Sequence, residues 1–251
     1  MLDWSGTHRV NQTGAINVFD AARAASRGNP VPVVYASSAA VYGKGNGSPC
    51  SEADATRPLS PYGADKLGCE LHARIATRVH GVPTRGFRLF NVYGPRQNPS
   101  SPYAGVISRF AKQLDRGMPI DIHGDGGQVR DFVYVKDAVL FLIAGVTARL
   151  TTPEIFNVCT GRPIAINQLA RMLASIAGRP LVVHHGASRP DDIRMSTGDP
   201  SKALLVLQVR AETNLFVGLQ RTLEWMRSTP ADEAPEAGAQ GARRWQAHVP
   251  A

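Results

Sequence analysis

Along the first 150 residues, segments with apolar side chains at helical spacing alternate with short β-branched runs. This alternation constrains the fold more than any other feature. "NQTGAINVFDAARAAS" (residues 11–26) places Ile16, Phe19 and Ala22 on one face and stops just before Gly28. "VPVVYAS" (31–37) follows, a run of the kind buried on both faces of a parallel sheet. The pattern repeats as a helix over 61–80, a strand "TRGFRLF" (84–90), a helix over 105–116, and a strand "RDFVYV" (130–135) running into a helix over 136–150. Parallel strands need a crossover connection and helices supply it, so the expectation is an α/β fold built on a doubly wound, Rossmann-like parallel sheet.

Beyond residue 150, "EIFNVC" (154–159) reads as a strand, "INQLARMLASIAG" (166–178) as an amphipathic helix, "LVVHH" (181–185) as a short strand, and 215–228 as a last helix. These are assigned to a smaller α+β lobe. Residues 229–251 are rich in Ala, Pro, Glu and Gly without periodicity and read as a disordered tail. The expected organisation is a partial dinucleotide-binding domain over 1–94 and 119–150, and a substrate lobe over 95–118 and 151–228. A dinucleotide-binding sheet opens with a strand, a glycine-rich turn and a helix N-terminus that holds the pyrophosphate. The glycine-dense stretch here, "YGKGNGSP" (42–49), runs into Pro49 and polar residues instead. The sheet is therefore expected to be incomplete, the chain opening in the middle of such a fold without its glycine-rich start.

Composition excludes several classes. The net charge of +8 comes from arginines scattered among acids, with no basic block, so a nucleic-acid partner is not expected; "ARRWQAH" (242–248) is the main feature in its favour. A basic surface equally suits a small anionic substrate. Three cysteines, Cys50, Cys69 and Cys159, lack both even number and C-x-x-C spacing, which argues against a disulfide framework or a zinc site and fits a reducing cytoplasm. The apolar run 138–146 is too short to span a bilayer; no membrane partner and no metal are expected.

"SPYGADK" (60–66) carries the chemistry. Tyr62 and Lys66 stand four apart on one helical face, where an ammonium can lower the pKa of a phenol that otherwise sits near 10. A tyrosine so tuned can act as a general base. The preceding strand ends in Ser37 and Ser38, at the carboxyl end where open α/β sheets bind ligands. Read alone, Tyr62 and Lys66 are a surface contact, and Ser38 is a helix N-cap.

"VVYASSAAVYG", "SPYGADKLGCE", "GFRLFNVYGPRQ", "GDGGQVRDFVYVKD" and "SRPDDIRMSTGDPSKA" occur in the order and spacing of the extended short-chain dehydrogenase/reductases. The chain resembles their nucleotide-sugar epimerases, typified by UDP-glucose 4-epimerase, from Asn11 to about residue 227. The resemblance implies that Tyr62 is the catalytic base, that Lys66 is its partner and binds the nicotinamide ribose of NAD, and that Ser38 holds the sugar hydroxyl being oxidised. It implies that Asn11, Ser37 and Phe90 line the cofactor and that Asn91 touches the diphosphate of the nucleotide-sugar substrate. Arg130 and Arg189 would clamp that diphosphate with paired donors, and Asp192 would approach the nucleoside ribose. Ser196 falls where the family limits the C2 substituent, and its small size implies tolerance of N-acetylhexosamines. The related 4,6-dehydratases place an acid pair where this chain has Ala39 and Ala40, and UDP-glucuronate decarboxylases carry a glutamate at Ala40, so epimerisation is preferred. A non-catalytic sugar-nucleotide-binding protein is the second reading. The resemblance also implies a homodimer built on the helices over 11–27 and 61–80.

Overall fold

A computed structural model describes residues 3–25, 28, 31–45, 47–98, 104–148, 152–188 and 192–228. The chain enters through α1 (Trp4–His8), one π-helical turn (Arg9–Thr13) and α2 (Gly14–Ala25), then forms β1 (Val33–Ser38), a 3₁₀ turn (Ala39–Tyr42), α3 (Pro61–His80) and β2 (Thr84–Leu89). β3 (Asn91–Tyr93), α4 (Val106–Asp115), β4 (Ile120–His123), β5 (Val129–Arg130), β6 (Phe132–Tyr134) and α5 (Val135–Thr147) follow. The remainder is β7 (Glu154–Val158), β8 (Ile164–Ala165), α6 (Ile166–Ala177), β9 (Val183–Gly186), β10 (Met195–Ser196), α7 (Ser201–Leu207) and α8 (Leu215–Ser228).

Local sequence sets the limits of the helix that matters most. The Ser60 hydroxyl accepts from the Gly63 amide at 3.1 Å, Pro61 stands in the first turn, and α3 ends at Gly81, whose φ of 68° is left-handed. β1 and β2 run parallel with α3 as their crossover, in register from Val33 opposite Thr84 to Ser38 opposite Leu89. β7 adds to the other side of β2, giving the order β1-β2-β7 and leaving the outer edge of β1 unpaired among the described residues.

Two boundaries differ from expectation. β7 pairs with β2 and is the third strand of the central sheet, whereas β4 pairs with β9 and belongs to the lobe. "RDFVYV" is also not one strand. It breaks at Asp131: β5 pairs with β8 and β10, and β6 pairs with β3. The buried Asp131 carboxylate accepts from the Thr160 amide (2.9 Å), the Thr160 hydroxyl (2.7 Å) and the Gly161 amide (2.8 Å), which bends the chain away from the ladder. The proposed tail lies outside the described residues.

The core divides accordingly. Phe87, Phe141, Phe156 and Val158 fill the space under the sheet, and Phe110, Ile120, Leu169 and Leu219 fill the lobe. Tight sheet packing depends on Gly86, since a Cβ there would collide with Tyr35 and Ile155. No helix among the described residues is long and apolar enough to cross a membrane, and none of their His, Cys, Asp and Glu side chains cluster as a metal site.

Candidate active site

Ser38 ends β1 in extended conformation, and its hydroxyl oxygen accepts from the Ala40 amide at 3.2 Å, capping the 3₁₀ turn. The cap leaves the same hydroxyl close enough to the Tyr62 phenol to pull its pKa down. Lys66 lies one turn further along α3. Its ammonium donates to the Ala36 carbonyl at 3.0 Å and stands 5.7 Å from the Tyr62 ring centroid. Helix α3 thus brings the tyrosine and lysine to the carboxyl end of β1.

The electrostatics correct one expectation. Partial burial pushes the Tyr62 phenol above its ordinary value, the Ser38 hydroxyl pulls it down, and the Cys69 thiol pushes it up. In the free protein the Lys66 ammonium is engaged by the Ala36 carbonyl, and the phenol, raised above its ordinary value, keeps its proton near neutrality.

Two of the expected cofactor-lining side chains are placed elsewhere. Successive strand residues face opposite ways, so Ser37 points away from Ser38. It is fully buried and donates to Glu70 Oε1 at 2.5 Å. Glu70 also receives two bonds from Arg88, 2.9 Å from Nε and 2.8 Å from Nη2. Phe90 is core, packed near Tyr42 with ring centroids 6.4 Å apart. Neither side chain is available to a cofactor. Asn11 sits half-buried in the π-helical turn, with its side-chain amide donating to the Thr7 carbonyl at 3.0 Å.

Asn91, Arg130 and Asp192 meet in one cavity of 170 Å³ between β3, α4, β4 and β5. The Asn91 side chain donates to the Asp131 carbonyl at 2.9 Å. Arg130 pairs with Asp192 at 2.6 Å and donates to the Val129 and Ile193 carbonyls. Asp131 and Asp137, near Arg130 in sequence, are engaged elsewhere, Asp131 with Thr160 and Asp137 with Thr213. Ser196 pairs with Arg130 across β10 and β5. Arg189 lies outside the described residues. Sequence reading missed Arg109, Asp121 and His123, which line the same cavity. Ala39 and Ala40 occupy the 3₁₀ turn and bring no acid to the site.

A parallel α/β sheet whose first strand delivers a serine to a Tyr-x-x-x-Lys helix defines the short-chain dehydrogenase/reductase class. More narrowly, the chain belongs to the NAD dependent epimerase/dehydratase family, whose signature matches residues 2–159. The UDP-glucose 4-epimerase of Mycolicibacterium smegmatis is 33% identical over 220 residues, covering 87% of this chain and 69% of that protein. The structure of UDP-glucose 4-epimerase from Thermotoga maritima with UDP-glucose superimposes with a TM-score of 0.84 at 30% identity, over 90% of this chain and 72% of that one. MoeE5 in complex with UDP-glucuronic acid and NAD gives 0.79 at 35% identity, over 86% and 71%.

Proposed function

We propose that the chain catalyses NAD-dependent epimerisation at C4 of a UDP-hexose. The observation that carries this reading is the convergence of Ser38, Tyr62 and Lys66 at the end of β1, with an arginine-bearing cavity in the adjoining lobe. The residues fit the nicotinamide ribose end of NAD: Lys66 offers further donors beside its Ala36 contact, and Asn11 lies on the neighbouring turn. No residue of this chain is assigned to the pyrophosphate.

When bound, NAD supplies a hydride acceptor and donor. Ser38 receives the C4 hydroxyl and aligns it with the Tyr62 phenol. Tyr62 takes the hydroxyl proton as the alcohol becomes a ketone and returns one to the same oxygen after the sugar presents its other face. Lys66 supplies the positive charge that favours the phenolate, once a ligand draws it from the Ala36 carbonyl. Arg130, with Asn91, holds the diphosphate through charged donors while Asp192 orients the guanidinium. Ser196 leaves room for an N-acetyl group.

The exposed aliphatic residues Val18 on α2, and Leu71, Ile75 and Val79 on α3, support a homodimer through these helices. Sedimentation of the parent and Ile75→Glu tests this; a parent that sediments as a monomer refutes it.

Turnover of UDP-glucose and UDP-GlcNAc, followed by separation of the 4-epimers, tests the reading. Both epimers are expected. Release of water from the sugar would select a dehydratase, and UDP binding without conversion would select a binding protein. Conversion of UDP-glucose alone would refute the role given to Ser196.

A further inference from the structure

Asp65 precedes Lys66 on α3 and is only 4% exposed. Its Oδ1 meets His8 Nδ1 at 2.7 Å, while Oδ2 is buried with no hydrogen-bond partner among the described residues. A carboxylate oxygen withdrawn from water without compensation is unfavourable, and such a group in a folded protein calls for a reason. The reason lies in what Asp65 faces. His8 ends α1 and leads directly into the π-helical turn Arg9–Thr13. A π turn inserts one residue into a helix, is rare, and is found frequently at functional sites.

Two further contacts tie that turn to the same face of α3. Cys69, one turn beyond Asp65, donates its thiol to the Asn11 carbonyl at 3.3 Å. Gly68 leaves space for Gln12, whose amide carbon lies 2.6 Å from where a Cβ would stand. The turn thus rests on Asp65, Gly68 and Cys69, while Tyr62 and Lys66 face the end of β1 from the same helix. Of the three contacts only His8–Asp65 joins ionisable groups.

We propose that Asp65, acting through His8, is a positioning residue: it holds the π-helical turn, and with it Asn11, at a fixed distance from the helix that carries Tyr62 and Lys66. It touches no substrate. Its function rests on the reading that Asn11 and Lys66 flank the cofactor, but the positioning itself is testable without cofactor.

The test compares Asp65→Ala, Asp65→Asn, His8→Ala and the double variant Asp65→Ala/His8→Ala in the full chain. Amide hydrogen exchange is read in the free protein, and KM for NAD is read apart from kcat. Asp65→Ala and His8→Ala are each expected to speed exchange over residues 9–14 by about tenfold or more while leaving 65–80 protected. The double variant should be no worse than either single one. Asp65→Asn, whose carbonyl still accepts from His8, should restore most of the protection. KM for NAD should rise several-fold with kcat within about twofold, the signature of lost ground-state binding. Unchanged exchange over 9–14, or equal loss of protection throughout α3, would overturn the proposal. So would an altered kcat at unchanged KM for NAD. If the parent binds UDP yet converts nothing, the function proposed above fails, and the exchange arm still decides this one.

Discussion

Tyr62 and Ser37 show how differently two hydroxyls of one sequence neighbourhood can be used. The Tyr62 side of α3 is partly open, at 42% exposure, so its replacement removes chemistry and little packing. Tyr62→Phe is expected to lower kcat by about 10²–10⁴-fold, the usual contribution of a general acid–base group. Its thermal midpoint should be nearly unchanged; an active variant refutes the assignment. Ser37 instead belongs to a buried network in which Glu70 and Arg88 are 9% and 5% exposed. Arg88 also stacks over the Tyr42 ring at 4.7 Å. Truncating one member of a buried pair strands its partner's charge, so Glu70→Ala should destabilise by about 3–5 kcal/mol. Denaturant unfolding measures this, and a loss under about 1 kcal/mol would mean the pair is effectively solvated. Ser38, Tyr62 and Lys66 were legible because a strand end and an i, i+4 spacing are local signals. Strand alternation does separate Ser37 from Ser38, but family resemblance pointed the other way. Arg109 and His123 carried no signal, because only the packing of α4 against β4 brings them to the cavity.

Among the elements, α3 was readable to the residue because Ser60, Pro61 and Gly81 mark its ends. β7 was readable as a strand, but a five-residue run does not announce its partner, which is why it was assigned to the wrong unit. Helix α7 was not anticipated: "SKALLVL" has no amphipathic spacing, and Ala203 is its one buried residue. Sheet packing supplies an element-scale prediction. In Gly86→Ala the added methyl meets Tyr35 on β1 and Ile155 on β7, so the strands must separate, at a cost of about 1–3 kcal/mol. Chemical denaturation reads that loss, and an unchanged midpoint would show that the interface is slack. Asp131→Ala tests the break between β5 and β6. It leaves the amides of Thr160 and Gly161 without their acceptor and is expected to lose about 1.5–3 kcal/mol. Unaltered unfolding would show that the carboxylate does not hold the bend.

At the scale of the molecule, burial dominates the titration of three tyrosines. It pushes the phenols of Tyr35, Tyr42 and Tyr93 well above their ordinary value of 10. In the unfolded chain these groups ionise near pH 10 while the folded protein still holds their protons. The folded state therefore binds more protons above that pH, and stability falls as pH rises. Burial also raises the thiols of Cys50, Cys69 and Cys159, so thermal midpoints should begin to fall as pH passes the ordinary thiol range and fall further above pH 10; a rise there would contradict this. The parallel sheet was legible from alternation, and the division of strands between sheet and lobe was not, because register depends on long-range packing.

The central claim is that Ser38, Tyr62 and Lys66 epimerise a sugar by oxidising and re-reducing C4. UDP-glucose carrying deuterium at C4 tests it directly, with product isotope content read by mass spectrometry. The account predicts a 4-epimer that retains the label, and no product from Tyr62→Phe. Loss of the label to solvent, or equal turnover by the phenylalanine variant, would contradict it.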